Sequence, residues 1–451
     1  MIMKIRHLTY VILIASLLAC NFLTSQFAPP TPTPVPLTTA YIPQNCRNTA
    51  LATIPAATAL VKPTPEIEAN PDISASLQKK VFQTVVDVIN KVYVYPDFNA
   101  KDWPSIVAKY QAEINAGVNK ETFYSDMEAM VKELGDEHSY FSSPVEVAQS
   151  EAELSGISQF VGIGISILSQ TDKGQDAIIL IFPDSPAEHS GLKPHDSLLS
   201  VDGLPIVKDG TEYWYLVRGP ECSALVLTVK SPGAEPRQVM LVRQKIQSPL
   251  PIDARLVPTA DGSRIGYIFI PSFSDDTIPT QIAEALNKLG QLDGLILDNR
   301  MNGGGDSSVL EPTLAYFTSG TLGQFKSRKG SRPLTIAAQP VQNSQDVPLI
   351  VLVGEDTVSF GEVFAGVLQD SGRAKVVGQT TKGNVEILHG YDFDDGSQLW
   401  IAQETFDPAH SHAKWEATGI IPDVQAYAEW DTFTFETDPS IAAALALLGH
   451  K

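Results

Sequence analysis

GLILDNRMNGGGD (294–306) and PLIVLVGEDTVSFGEVF (348–364) decide how this chain is read. Each opens on an apolar run of strand length and breaks at its end into a turn ahead of a helix-spaced stretch. The glycines at 303–305 present amides with no side chain to block close approach, so they suit a developing oxyanion, and Ser359 stands where a helix begins. These are two of the parts that an acyl-transfer hydrolase requires. Both also have a plain structural reading. Ser359 with Glu362 three residues on, just before an apolar helix, is a capping box. The glycine run is a strand-to-helix turn that needs positive φ. Capping and nucleophilic roles are compatible, because a serine at a helix N-terminus gains from the positive end of the dipole. No phosphate-loop Lys and Ser follow the glycines, so nucleotide binding has no support.

Around these stretches, from 250 to 430, strand-like RIGYIFI (264–270), GLILD (294–298), PLIVLVG (348–354) and AKVVGQ (374–379) alternate with helix-like TQIAEALNKLG (280–290), SVLEPTLAYF (308–317) and EVFAGVLQD (362–370). This alternation predicts an α/β layer with a largely parallel sheet, and places Gly303 and Ser359 at strand ends where functional groups gather. Before it, 155–245 carries short β runs, FVGIGISI, AIILIF, SLLSVDG, ALVLTV and QVMLVR, with one short helix in SPAEHSGL. Earlier still, 73–150 has helical spacing, with Leu77, Val81, Val85 and Val88 on one face, and closes on GDEHSYF (135–141), which puts His138 in a loop. Residues 431–451 form a C-terminal segment.

With 451 residues the chain exceeds what one core usually organises, and 43% hydrophobic against 19% charged residues describes a globular protein. A net charge of −20, from 52 acidic and 32 basic residues, works against nucleic acid as a partner. At the N-terminus, Lys4 and Arg6 precede an apolar run from Leu8 to Leu18 that is too short to span a bilayer as a mature helix. That run ends in LLAC, where Cys20 after Ala19 resembles a lipoprotein lipobox, making 1–20 a signal; plain secretion and an uncleaved anchor are the alternatives. Residues 21–72, with PPTPTPVP at 29–36, read as an extended spacer holding a folded body off a membrane. Cys46 and Cys222 then remain, and two free or buried thiols are favoured over a disulfide, because one lies in the spacer and the other in a folded module. No metal-ligand spacing appears.

From Ile73 to Val424 the chain resembles the S41 serine peptidases, which include the C-terminal processing (tail-specific) proteases and tricorn-type and retinoid-binding-protein-like relatives. The matching pieces occur in family order: GDEHSYF, VGIGI (161–165), SPAEHSGLKPHDSLLSVDG (185–203), GYIFIPSF (266–273), the two opening stretches, and TGIIPDV (418–424). The resemblance implies a crotonase-like (ClpP-like) α/β core, an inserted PDZ-like domain and a small N-terminal helical domain. It implies Ser359 as nucleophile and the amides of Gly305 and Phe360 as oxyanion donors. Processing proteases carry their basic lysine in GETTFGKGxVQ, whereas this chain has GQTTKGNVE (378–386). Without a gap the lysine position is Asn384, which has no basic group; with a two-residue gap Lys382 takes it and Glu386 takes the place of the family's glutamine. Lys382 would have to be desolvated to be neutral near pH 7. Tricorn-like members instead use Ser, His and Glu, and here Glu416 precedes Gly419 in EATGIIPD while His138 and Ser139 match their HS pair. The ungapped reading is favoured, with His138 as base and Glu416 as its orienter.

The expected protein is an exported, lipid-anchored serine endopeptidase of the cell envelope that needs neither metal nor cofactor. Its expected substrates are unfolded or C-terminally exposed proteins, whose terminal carboxylate would rest on the amides of Gly162, Ile163, Gly164 and Ile165. A regulatory lid is the other reading of that module. A non-catalytic peptide- or hydrophobic-ligand-binding lipoprotein on the same fold is the competing function, and a scaffold acting only through its PDZ-like module is a third.

Overall fold

The apolar runs that open the two deciding stretches become neighbouring strands in the middle of one sheet. Its six strands lie in the order β1 (Asp253–Val257), β2 (Ile265–Phe269), β3 (Gly294–Asp298), β4 (Leu349–Val353), β5 (Lys375–Gly378) and β6 (Val424–Gln425). β1 is antiparallel to β2, and every other pair is parallel. Every residue of β2, β3 and β4 is buried, as a sheet covered on both faces requires. The period of two divides them: Leu295 and Leu297 join a core with α1 (Ile278–Leu289), α2 (Ser307–Phe317) and α3 (Phe360–Asp370), while Ile296 faces Trp430, Ile441 and Ala444. Each fully buried aliphatic side chain contributes about 1.5–3 kcal/mol, so this layer is a stiff base for the loops at its strand ends.

The computed structural model describes residues 37–38, 41–47, 52–53, 70–136, 138–157 and 160–450. The apolar run at 8–18 and Cys20 lie outside them. Among the described residues no helix is long and apolar enough to cross a membrane. The expected helical segment forms Ala75–Val92, Trp103–Ala116 and Lys120–Lys132, with Val81 and Val85 buried and Leu77 and Val88 packed against them. A second sheet, which the sequence reading did not anticipate, pairs Gly330–Ile336, Gly320–Ser327, Gln398–Pro408 and Ile387–Asp392, and takes in Tyr140–Ser142. It joins the helical segment to the α/β layer, since Leu399, Ile401 and Ala402 belong to the helical core.

The β-rich segment forms its own sheet, in which Gln175–Ile181, Ser197–Val201, Ser223–Lys230 and Arg237–Val242 follow the predicted runs. Here the expectation for the spacer and its cysteine needs correction. Leu37–Thr38 pairs in parallel with Arg237–Val242, Ala52–Thr53 pairs in parallel with Ser223–Lys230, and Cys46 is disulfide-bonded to Cys222. These parts of the spacer therefore lie along the sheet rather than apart from it, which carries Cys46 to within 5.3 Å of Cys222 between Cα atoms. Proline and threonine residues hide this role in the sequence, because an edge strand and a free spacer are both extended.

A non-reduced proteolytic digest is expected to yield a peptide linked through Cys46 and Cys222. Cys222→Ser should lower the unfolding free energy by about 2–4 kcal/mol in urea titration. An unchanged midpoint with no linked peptide would return the two cysteines to free thiols.

Candidate active site

β4 ends at Val353, and the chain turns through 354–358 to Ser359. Ser359 has φ 57° and ψ −126°, a conformation that costs an L residue about 1–3 kcal/mol and persists only when its neighbours dictate it. Those neighbours are the residues after β3. Thr357 Oγ1 donates to the Asn299 carbonyl at 2.8 Å, and the Val358 amide donates to the Asn302 carbonyl at 3.0 Å. The Ser359 amide donates to Glu362 Oε2 at 3.2 Å, within the capping box expected from their spacing.

The glycine run meets Ser359 at its middle member. A Cβ on Gly304 would lie 2.7 Å from Ser359 Cβ and 3.0 Å from the Phe360 nitrogen. Gly305, with φ 145°, is pressed against Phe273, whose carbonyl carbon would be 2.1 Å from an added Cβ. Among the described residues the amides of Gly305 and Phe360 donate to no acceptor. The two free amides each follow a residue of this contact, Phe360 after Ser359 and Gly305 after Gly304, and Gly304 is the residue whose lack of a side chain lets the two loops meet.

His138 arrives from the other direction. Tyr140–Ser142 pairs antiparallel with Gln398–Pro408, which fixes the loop just before it. Asp136 Oδ1 accepts from the amides of His138 and Ser139 at 3.1 and 2.9 Å, and Asp136 Oδ2 accepts from Ser139 Oγ at 2.6 Å. Ser139 Oγ in turn accepts from the Ala402 amide at 3.0 Å, so this buried serine anchors the histidine loop. Asp136 was not singled out in the sequence; its signal is an Asp two residues before a histidine, the spacing of an Asx turn.

His138 Nε2 lies 2.9 Å from Glu416 Oε1 and 3.9 Å from Glu386 Oε2. Burial disfavours the imidazolium, but the hydrogen bond to Glu416 and the charges of Glu416, Glu386 and Asp136 outweigh it and hold the pKa above the usual histidine value. Burial, followed by the Glu416 charge, pushes the Glu386 carboxyl up to about 7. Glu386 Oε1 accepts from the Tyr95 hydroxyl, a partner that the sequence did not suggest.

One loop connects the two halves. Glu362 Oε1 accepts from Thr381 Oγ1 and the Gly383 amide at 2.5 and 2.8 Å, and Glu362 Oε2 accepts from the Asn384 amide at 2.7 Å. Glu416 Oε2 accepts from the amides of Val385 and Glu386 at 2.8 and 3.1 Å. Asn384 therefore sits by its backbone beside the Ser359 amide. Lys382 is exposed, so the desolvation that the alternative base requires is not met. No hydrogen bond joins Ser359 to His138 or to Lys382 in this arrangement.

Beside this site a groove of about 990 Å³ runs between the β-rich segment and the α/β layer, lined by residues that include Gly162, Ile163, Gly164, Ile165, Ser272 and Ser274. Among the described residues the amides of Ile163 and Gly164 donate to no acceptor. The groups able to hold a metal ion among the described residues are His138 with Glu386 and Glu416, and the exposed Asp184, Glu188 and His189.

Residues 264–426 match peptidase family S41. A carboxyl-terminal-processing protease of Synechocystis sp. (strain ATCC 27184 / PCC 6803 / Kazusa) is 29% identical over 369 residues, covering 80% of this chain and 84% of that protein. The solved photosystem II D1 C-terminal processing protease superposes with a TM-score of 0.54 at 23% identity, over 80% of this chain and 96% of its own. A putative S41 protease from Bacteroides fragilis NCTC 9343 gives a TM-score of 0.55 at 16% identity, over 85% and 98% of the two chains. The mixed α/β fold is therefore one found among S41 proteases, and the choice between peptidase and non-catalytic binder falls to the peptidase. Ser359, held at a helix start beside Gly304, lies in the segment from β2 to β6 that matches peptidase family S41, and this protein is a serine-type peptidase.

Proposed function

We propose that Ser359 is the nucleophile, His138 the general base and then acid, and Glu416 the residue that orients the imidazole. The observation that carries this reading is the 2.9 Å contact between His138 Nε2 and Glu416 Oε1, made across 278 residues of sequence. With Nε2–H given to Glu416, the lone pair on Nδ1 is left to take the Ser359 proton. That transfer needs an approach to about 2.6–3.2 Å, which forms in the substrate complex, where such contacts tighten. The Ser359 oxygen then attacks the peptide carbonyl, and the oxyanion rests on the amides of Gly305 and Phe360. His138 returns the proton to the leaving amine, and a water activated in the same way releases the acyl group.

The fold supports reading the α/β layer (250–430) as a crotonase-like core and 155–245 as a PDZ-like domain inserted after the helical part (73–150). Two amides without acceptors, at Ile163 and Gly164 in the lining of the groove, are the means to hold a terminal carboxylate while the substrate adds as a strand. Relatives named as carboxyl-terminal-processing proteases favour substrates selected by their C-terminus. The signal-like N-terminus favours a lipid-anchored enzyme of the cell envelope, acting on unfolded or C-terminally exposed proteins there.

Hydrolysis of an unstructured protein by the full chain is expected to fall by at least about 10³-fold in Ser359→Ala and His138→Ala, while Lys382→Ala stays within a few-fold of the parent. Loss in the lysine variant with retention in the histidine variant would sink the triad. For peptides differing only in a free or amidated C-terminus, the amide should raise KM by about tenfold or more, the loss of a charge-assisted contact. Equal KM values would assign the groove to regulation.

A further inference from the structure

We propose that His138, Glu386 and Glu416 form a zinc site whose occupation withdraws the imidazole from catalysis. The three residues come from separate parts of the sequence, so no ligand spacing announces them. Both carboxylates are divided in the same way. Glu416 keeps Oε2 on the amides of Val385 and Glu386 and directs Oε1 at His138 Nε2. Glu386 keeps Oε1 on the Tyr95 hydroxyl, and its Oε2, 3.9 Å from the same nitrogen, is buried with no hydrogen-bond partner. One oxygen of each carboxylate is thus fixed by the protein and the other is left for a shared third body, which is how outer partners prepare monodentate ligands.

The spacing suits a small cation. A tetrahedral zinc with bonds of about 2.0–2.2 Å sets its ligand atoms about 3.3–3.6 Å apart. The observed 2.9 and 3.9 Å separations from Nε2 lie on either side of that range, and all three ligand atoms fall within 4.8 Å of one another. One imidazole with two carboxylates favours zinc over the all-oxygen cages of calcium or magnesium, and two negative ligands balance its charge. The side chains of His138 and Glu386 are 9% and 1% exposed, whereas that of Glu416 is 26% exposed, which leaves one side open for entry and for a water as fourth ligand.

The site stands on geometry alone; only its inhibitory consequence rests on His138 being the base. Isothermal titration of the chelator-treated full chain with zinc chloride is expected to show a site that Glu386→Gln and Glu416→Gln each weaken by at least about tenfold, with His189→Ala unchanged. Circular dichroism checks that each variant is folded, and X-ray absorption of the zinc-loaded parent should report one imidazole among oxygen ligands. No heat of binding, undiminished binding in folded Glu386→Gln, or loss in His189→Ala would each overturn the proposal. Zinc should also inhibit hydrolysis reversibly, with activity restored by chelator. Binding of the predicted kind without inhibition would overturn the role of His138 as base and leave the site standing.

Discussion

Two carboxylates shape the loop from 381 to 386, and the candidate active site depends on that loop. It has no regular secondary structure, so its backbone amides need acceptors from elsewhere. Glu362, with no exposed surface, takes Thr381, Gly383 and Asn384 as well as the Ser359 amide, and Glu416 takes Val385 and Glu386. Burying the Glu362 carboxylate alone would cost several kcal/mol; four donors at about 1.5–3 kcal/mol each offset part of it, and burial still holds its pKa above the usual glutamate value. The same carboxylates hold the serine and the histidine, one each. Glycine completes the arrangement, since a Cβ on Gly383 would lie 2.7 Å from the Glu416 carbonyl and one on Gly419 would lie 2.0 Å from that of Thr381.

Periodicity made the α/β layer legible because its strands are uniformly apolar and its helices are punctuated by glycine and serine. The four strands and three helices expected between 250 and 430 all form. The second sheet escaped because Gly320–Ser327 and Gly330–Ile336 mix glycine, lysine, arginine and an internal proline, and it is stabilised by tertiary partners such as Phe406 against Phe325. The disulfide escaped because its neighbourhood is created by short strand additions that composition cannot reveal. At the site, the ExxGxxPD context led to the His138–Glu416 pair, while Glu386 and Tyr95 required the fold, since they meet across 291 residues. Glu362 was visible as a cap but not as the acceptor for a distant loop.

Ser359 and His138 belong to different layers and are placed without touching each other. The serine is held in a strained backbone by contacts with Asn299, Asn302 and Gly304, all on the loop after β3. The histidine is held by Asp136 and by a strand of the second sheet. Their separation is therefore a property of how the sheets and the 381–386 loop pack. The groove meets the same machinery at one point. Ser272 and Ser274 line it, while Phe273 between them donates to the Gly304 carbonyl at 2.7 Å and accepts from the Asp306 amide at 2.9 Å, bracketing Gly305. The wall of the groove and the segment that carries the free Gly305 amide therefore share one stretch of backbone, and neither can shift without the other.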